Sequence, residues 1–295
     1  MLGAVTDPAP LQNRMLQAGI LSLALAASTG VTAQGDAKRG EYLAKAGGCV
    51  GCHTEEKEKA VAFAGGRELK TPFGAFYGPN ITPHPQAGIG RWTEADFIRA
   101  MRLGDRPDGK NYFPAFPYPS FTKISDPDLH DIWAYLRSLP PSARANQEHD
   151  LTFPFGWRFL VTFWKWLYFT PGALMKIPEL SGIANRGAYL VQALGHCGEC
   201  HTPRNFLGGP KRDRFLGGGK GPEGKNIPNL TPTRLNKMSD QDLLDFLTTG
   251  LYADGDVPAE AMAEVIRNTT SQFARDDLGA LIAYLRLLPL VPEEK

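Results

Sequence analysis

The chain has 295 residues, a formal charge of +1 at neutral pH and 42% hydrophobic residues. That charge argues against a nucleic-acid partner, while the length and apolar content allow two domains with real cores. Pro (24) and Gly (32) are plentiful, which suits a loop-rich fold.

Residues 1–33 read as an export signal. Arg14 precedes the apolar run 15–27, and Val31-Thr32-Ala33 places small residues before a cut at Gln34. The stretch ahead of Arg14 is long and holds Asp7. A start at Met15 and an uncleaved anchor therefore stay open, although the run is short for a span.

A first unit is expected over 34–141. Its opening helix, about 36–48, leads into Cys49-Val50-Gly51-Cys52-His53, and a Gly/Pro-rich loop follows. Thr93-x-x-Asp96 reads as a capping box, with Asp in place of Glu, that starts a second helix. Leu129, Ile132, Trp133 and Leu136 lie at helical spacing in a last helix, about 126–138, which stops at Pro140.

Residues 142–181 read as a linker. Its stretch 153–170 is dense in aromatics but too short, and too interrupted by Arg158 and Lys165, to span a bilayer. Three readings compete: packing between the units, docking on a partner subunit, or lying at a membrane surface.

A second unit, 182–295, repeats the first. Arg39-Gly40-x-Tyr42-Leu43 matches Arg186-Gly187-x-Tyr189-Leu190, and Asn80-Ile81-Thr82-Pro83 matches Asn229-Leu230-Thr231-Pro232. Ser239-x-x-Asp242 repeats the cap, and the last helix returns over about 275–287 before Pro289. The Cys49 box recurs as Cys197-Gly198-Glu199-Cys200-His201.

Each box is the c-type haem attachment pattern. Cys49, Cys52, Cys197 and Cys200 supply thioether sulfurs, and His53 and His201 become proximal ligands of the iron. The two boxes use all four cysteines. A disulfide framework or a four-Cys zinc site would need the same residues, and zinc knuckles normally lie closer together. Two covalently bound haem c groups are expected, in an all-α fold of two tandem cytochrome c domains.

Such haems usually take Met on the distal side. Met175 falls in the linker, Met101 within the second helix, and Met238 just before an N-cap. Met262 falls in an expected loop between the second and last helices and is assigned to the second haem. The repeat then points to position 116 for the first haem, and it holds Phe116. Phenylalanine cannot ligate iron, so the first haem has an open site or a substitute. Tyr112, Lys110, Lys123, Tyr118, His84 and Met101 are the candidates. Arg204 and Trp92 are candidate propionate partners, with a solvated loop and core packing as their respective alternatives. His130, His149 and His196 read as surface or loop residues.

Arg39-Gly40-Glu41-Tyr42-Leu43, Thr71-Pro72-Phe73-Gly74, Gly88-Ile89-Gly90-x-Trp92 and Gly195-His196-Cys197-Gly198-x-Cys200-His201-Thr202-Pro203-Arg204-Asn205 carry a resemblance. The chain resembles the multihaem cytochrome c subunits of bacterial membrane-associated alcohol, gluconate and aldehyde dehydrogenases. The resemblance implies a periplasmic electron carrier, with a dehydrogenase catalytic subunit as donor and quinone, another cytochrome or an oxidase as acceptor. Peripheral membrane association is compatible with it. Pro114-Ala115-Phe116-Pro117-Tyr118-Pro119-Ser120 stands where the family has Met in third place, and His84 where it often has Asp. The alternative is a dihaem oxidoreductase that binds a substrate or small ligand at the Met-lacking haem.

Overall fold

The computed structural model describes residues 35–221 and 224–293; the expected signal segment lies outside them. The first copy contains α1 (Ala37–Ala46), α2 (Cys49–His53), α3 (Glu94–Leu103), α4 (Tyr118–Phe121) and α5 (Asp126–Ser138). A later helix, α6 (Leu160–Tyr168), separates it from the second copy. That copy contains α7 (Gly182–Tyr189), α8 (Gly198–His201), α9 (Pro232–Leu235), α10 (Asp240–Thr249), α11 (Glu260–Asn268) and α12 (Arg275–Arg286).

The expected all-α fold needs correction, because small sheets accompany the helices. β1 (Glu68–Thr71), β2 (Gly74–Tyr77) and β3 (Asp150–Leu151) form one antiparallel sheet, and β4 (Gly219–Lys220) pairs with β5 (Asn226–Ile227). Thr71-Pro72-Phe73-Gly74 is the turn between β1 and β2, with Thr71 facing Gly74 in register. Proline at the second turn position presets the bend. Gly74 is needed there: its φ is +117°, and a Cβ would lie 2.4 Å from the Asp150 carbonyl oxygen.

The Arg-Gly-x-Tyr-Leu repeat explains the helix packing. In α1, Gly40 lets the helix cross α5 closely, since a Cβ would sit 1.9 Å from the Asp131 carbonyl oxygen. Gly187 of α7 meets the Ala280 carbonyl of α12 at the same distance. Arg39 pairs with Asp128 and Asp131, and Arg186 with Asp277. Leu43 and Leu190 enter the core. Each such leucine contributes roughly 1.5–3 kcal/mol by leaving water.

That core draws on both copies. Leu43, Phe97, Leu129 and Ile132 belong to the same buried cluster as Leu190, Leu194, Leu281 and Leu285. Both capping boxes form as expected: Thr93 and Asp96 bond each other's backbone, as do Ser239 and Asp242. The α7 helix continues as a π-helical stretch, Leu190–Leu194, that leads into the second box.

The segment read as a linker does not simply fill a gap between the copies. Val161 packs with Phe76 and Phe113 beside the first sheet, and Phe169 meets the Tyr118 ring at 5.0 Å. Many of its other aromatic side chains face outward.

Candidate haem sites

The first box is α2 itself, entered through Gly48 in the left-handed conformation. The second box starts at Cys197 and continues as α8, entered through His196 at φ +38°. All four cysteines are unpaired thiols. Burial pushes the Cys49 and Cys197 thiols up to about 12 and Cys52 up to about 11, so all three are neutral at physiological pH.

Both box histidines are held alike. His53 Nδ1 lies 2.7 Å from the Pro79 carbonyl oxygen, and His201 Nδ1 lies 2.8 Å from that of Pro228. A carbonyl only accepts, so Nδ1 carries the proton and donates. Nε2 is left with its lone pair. Burial pushes both imidazoles down, and the carbonyl contact partly opposes this. Neutral imidazoles oriented in this way, beside paired free thiols, fit the attachment of haem c at each box.

The loop carrying each carbonyl is clamped by an asparagine. Asn80 Oδ1 accepts from the Thr82 N–H and hydroxyl at 2.9 and 2.7 Å, while Nδ2 donates to the Ser142 and Arg144 carbonyls. Asn229 Oδ1 accepts from both groups of Thr231 at 2.7 Å, while Nδ2 donates to the Val291 carbonyl. All four clamp residues are buried. Sequence reasoning found this repeat but missed its role, and it missed Pro79 and Pro228. Any residue offers a carbonyl, so the available signal was the duplicated proline ahead of Asn-[Ile/Leu]-Thr-Pro.

On the distal side, Met262 lies in the first turn of α11, not in a loop. The run Glu260-Ala-Met-Ala-Glu is rich in helix formers, and this outweighs the expectation of a loop. Two residues on, Glu264 pairs with Arg67 at 2.7 Å, beside the first box. Two helical steps turn about 200°, so Met262 faces away from that box. It shares its face with the buried Ile266, one turn later. Met101 is buried in the core, Met238 packs against it, and Met175 is exposed.

Phe116 occupies an aromatic nest. Its ring lies 5.4 Å from Tyr112, 5.8 Å from Phe121 and 6.2 Å from Tyr118. Among the substitute candidates, several are engaged elsewhere. His84 Nδ1 accepts the Ala87 N–H at 3.0 Å. Lys110 lies toward Asp108. Lys123 lines a cleft with Glu199 and Arg212, where burial pushes its ammonium down. Burial pushes the Tyr112 hydroxyl up to about 12. The Tyr118 hydroxyl is fully buried without a hydrogen-bond partner among the described residues.

The boxes adjoin across the copies. His196 is not a free loop residue: a Cβ at Gly48 would lie 3.7 Å from its Nε2, and its ring meets Phe121 at 5.4 Å. The Ser120 hydroxyl donates to Glu199 of the second box at 2.6 Å. Arg204 is exposed, and its guanidinium donates to the Glu199 backbone and carboxylate and to the Gly208 carbonyl. Trp92 packs against the core. His130 pairs with Glu94 at 2.7 Å. His149 departs from its surface reading: it is half-buried between Phe76 and Phe113.

Residues 37–140 match the cytochrome c family. The chain is 44% identical to a dihaem c-type cytochrome of Cereibacter sphaeroides, covering 87% of each. It is 38% identical to the cytochrome c subunit of the quinone alcohol dehydrogenase of Gluconobacter oxydans, over 88% of this chain and 56% of that one. It is 36% identical to the gluconate 2-dehydrogenase cytochrome c subunit of Pantoea cypripedii, over 85% of this chain and 59% of that one. The chain thus spans little more than half the length of those two subunits. With its paired boxes, carbonyl-held histidines and these relatives, the chain belongs to the cytochrome c family of dihaem cytochromes and dehydrogenase cytochrome subunits.

Proposed function

We propose that this cytochrome is an exported electron carrier with two haem c groups, one on each repeat. Residues 34–141 and 182–295 are the two haem units, and 142–181 joins them. The donor is a dehydrogenase catalytic subunit, as the relatives' names suggest. The acceptor is quinone, another cytochrome or an oxidase, and the compartment is the periplasm, where haem is attached covalently.

Haem c supplies reversible one-electron chemistry when bound. The chain's own residues do the rest. Cys49 and Cys52, and Cys197 and Cys200, hold the groups covalently. The Pro79 and Pro228 carbonyls fix His53 and His201 with Nε2 free. Met262 is the distal ligand of the second group. The Phe116 nest leaves the first without a thioether.

The observation that carries this reading is the duplicated Nδ1-to-carbonyl contact beside free thiols. Haem determination on the purified protein is expected to give two per chain, and reduction is expected on mixing with substrate-charged dehydrogenase. One haem per chain, or no reduction by any such enzyme, would overturn it. The Phe116 nest also favours a second reading, small-ligand binding at the first haem. Turnover of peroxide or thiosulfate by the cytochrome alone would establish that instead.

A further inference from the structure

One position of the repeat is filled differently in the two copies. Gly48 stands directly before Cys49, and His196 directly before Cys197. Both backbones are left-handed there, with φ +62° at Gly48 and +38° at His196. Glycine adopts this conformation freely, whereas a residue with a side chain is strained in it. The first copy shows that glycine suits the turn into a box. What the second copy gains from histidine is therefore the ring.

That ring points across the seam between the copies. A Cβ at Gly48 would be in van der Waals contact with its Nε2, at 3.7 Å. The Gly47 carbonyl is near enough to draw on the ring N–H. Phe121 of α4 packs edge-on against the imidazole, with the ring centres 5.4 Å apart. Burial pushes the imidazole down, against the opposing pull of Glu199 and of the His196 and Gly47 carbonyls, so the ring adds no charge between the units. Other contacts across the seam join a box to a helix. Ser120 of α4 donates to Glu199, and Glu264 and Asn268 of α11 lie over Gly51. His196 joins box to box.

We infer that His196 is the bridge for electron exchange between the two haem units, an inference that rests on the electron-carrier reading and deepens it. Electron tunnelling decays less through bonds and hydrogen bonds than across a gap between packed groups. From Cys197 the chain reaches the imidazole in one residue, and from the Gly47 carbonyl it reaches Cys49 in two. The crossing itself is made by an aromatic ring, where glycine would leave a gap. The exchange moves one electron: the group of one copy is oxidised as that of the other is reduced, and no proton or further reactant enters the balance.

The test uses the full-length haem-loaded protein and three variants. His196→Gly places the first copy's residue in the second, so the turn into the box should persist. His196→Gln keeps an N–H that can reach the Gly47 carbonyl. Ser120→Ala removes a different contact across the seam. Pulse radiolysis reduces one group and follows the electron as it equilibrates with the other. His196→Gly should slow this step about ten-fold or more, His196→Gln should recover most of the rate, and Ser120→Ala should leave it unchanged. Potentials and electron paramagnetic resonance spectra should be the same in all four proteins. An unchanged rate in His196→Gly overturns the inference. Equal slowing by Ser120→Ala, or shifted potentials and spectra in His196→Gly, also overturns it, because packing at the seam would then be responsible. Two haems per chain with an unchanged rate defeat this inference alone, whereas one haem per chain in the unmodified protein defeats the electron-carrier reading with it.

Discussion

The Tyr42 hydroxyl donates a 2.5 Å hydrogen bond to the Asp277 carboxylate, 235 residues further along the chain. The repeat returns the contact: the Tyr189 hydroxyl donates to Asp128. Each acid is held by the arginine of its own copy, Asp277 by Arg186 and Asp128 by Arg39. The two copies therefore exchange tyrosines across a pseudo-twofold relation. Burial, with Asp277 next, pushes the Tyr42 hydroxyl up to about 12, so it is a dependable donor at physiological pH.

Tyr42→Phe and Tyr189→Phe should each destabilise the protein by about 1–2 kcal/mol, because each removes a hydrogen bond to a charged acceptor. Urea unfolding of the two variants measures this. Losses below about 0.5 kcal/mol would mean that the arginines alone satisfy the acids.

The distal assignments separate spectroscopically. Phe116→Met should turn the first haem low-spin and raise its potential, since Met ligation raises it. Met262→Leu should turn the second haem high-spin. Electron paramagnetic resonance with near-infrared magnetic circular dichroism reads both. Two low-spin haems in the unmodified protein would show a recruited ligand beside Phe116. The buried Tyr118 hydroxyl would then be the first substitution to make.

The Asn229 clamp links stability to potential. Asn229→Ala leaves the buried Thr231 N–H and hydroxyl without their acceptor, at a cost of about 1–3 kcal/mol. Loosening the Pro228 carbonyl also weakens the pull on His201 Nδ1. The imidazole becomes a poorer electron donor, and the second haem's potential should rise. Spectroelectrochemical titration tests this. An unchanged potential alongside lost stability would confine the clamp to holding the loop.

Much of this architecture was readable because it occurs twice. The Arg39-Gly40-x-Tyr42-Leu43 match predicted a shared element, and both capping boxes formed where Thr93 and Ser239 placed them. What each motif residue does was not readable. Arg39 finds Asp128 and Asp131, and Tyr42 finds Asp277, through tertiary contacts that no local pattern encodes. The expected loop around Met262 is instead α11, because Glu260, Ala261, Met262, Ala263 and Glu264 are all strong helix formers. The small sheets were missed because their strands are two to four residues long. The outward turn of α6 defied its composition: the lone lysine, Lys165, went in to meet Asp105 and left the aromatics outside.

His149 should make stability depend on pH. Its Nδ1 accepts the Tyr77 N–H at 3.1 Å, and its ring lies 5.3 Å from Phe76 and 5.8 Å from Phe113. Burial, then Arg158 and Arg106, push it from 6.5 down to about 4. The folded state therefore holds the ring neutral while the unfolded chain protonates it. Its contribution is fully present above about pH 6.5 and is lost as pH falls through about 4. The partly exposed site limits the loss to about 1–2 kcal/mol. In His149→Asn the side-chain oxygen keeps an acceptor for Tyr77 but does not titrate. Urea midpoints at neutral pH and near the folded-state value should fall less for this variant than for the unmodified protein. Equal falls would place the acid sensitivity in the carboxylates, with Asp277 first: the Arg186 and Tyr42 hydrogen bonds hold it below its ordinary value against the opposing effect of burial.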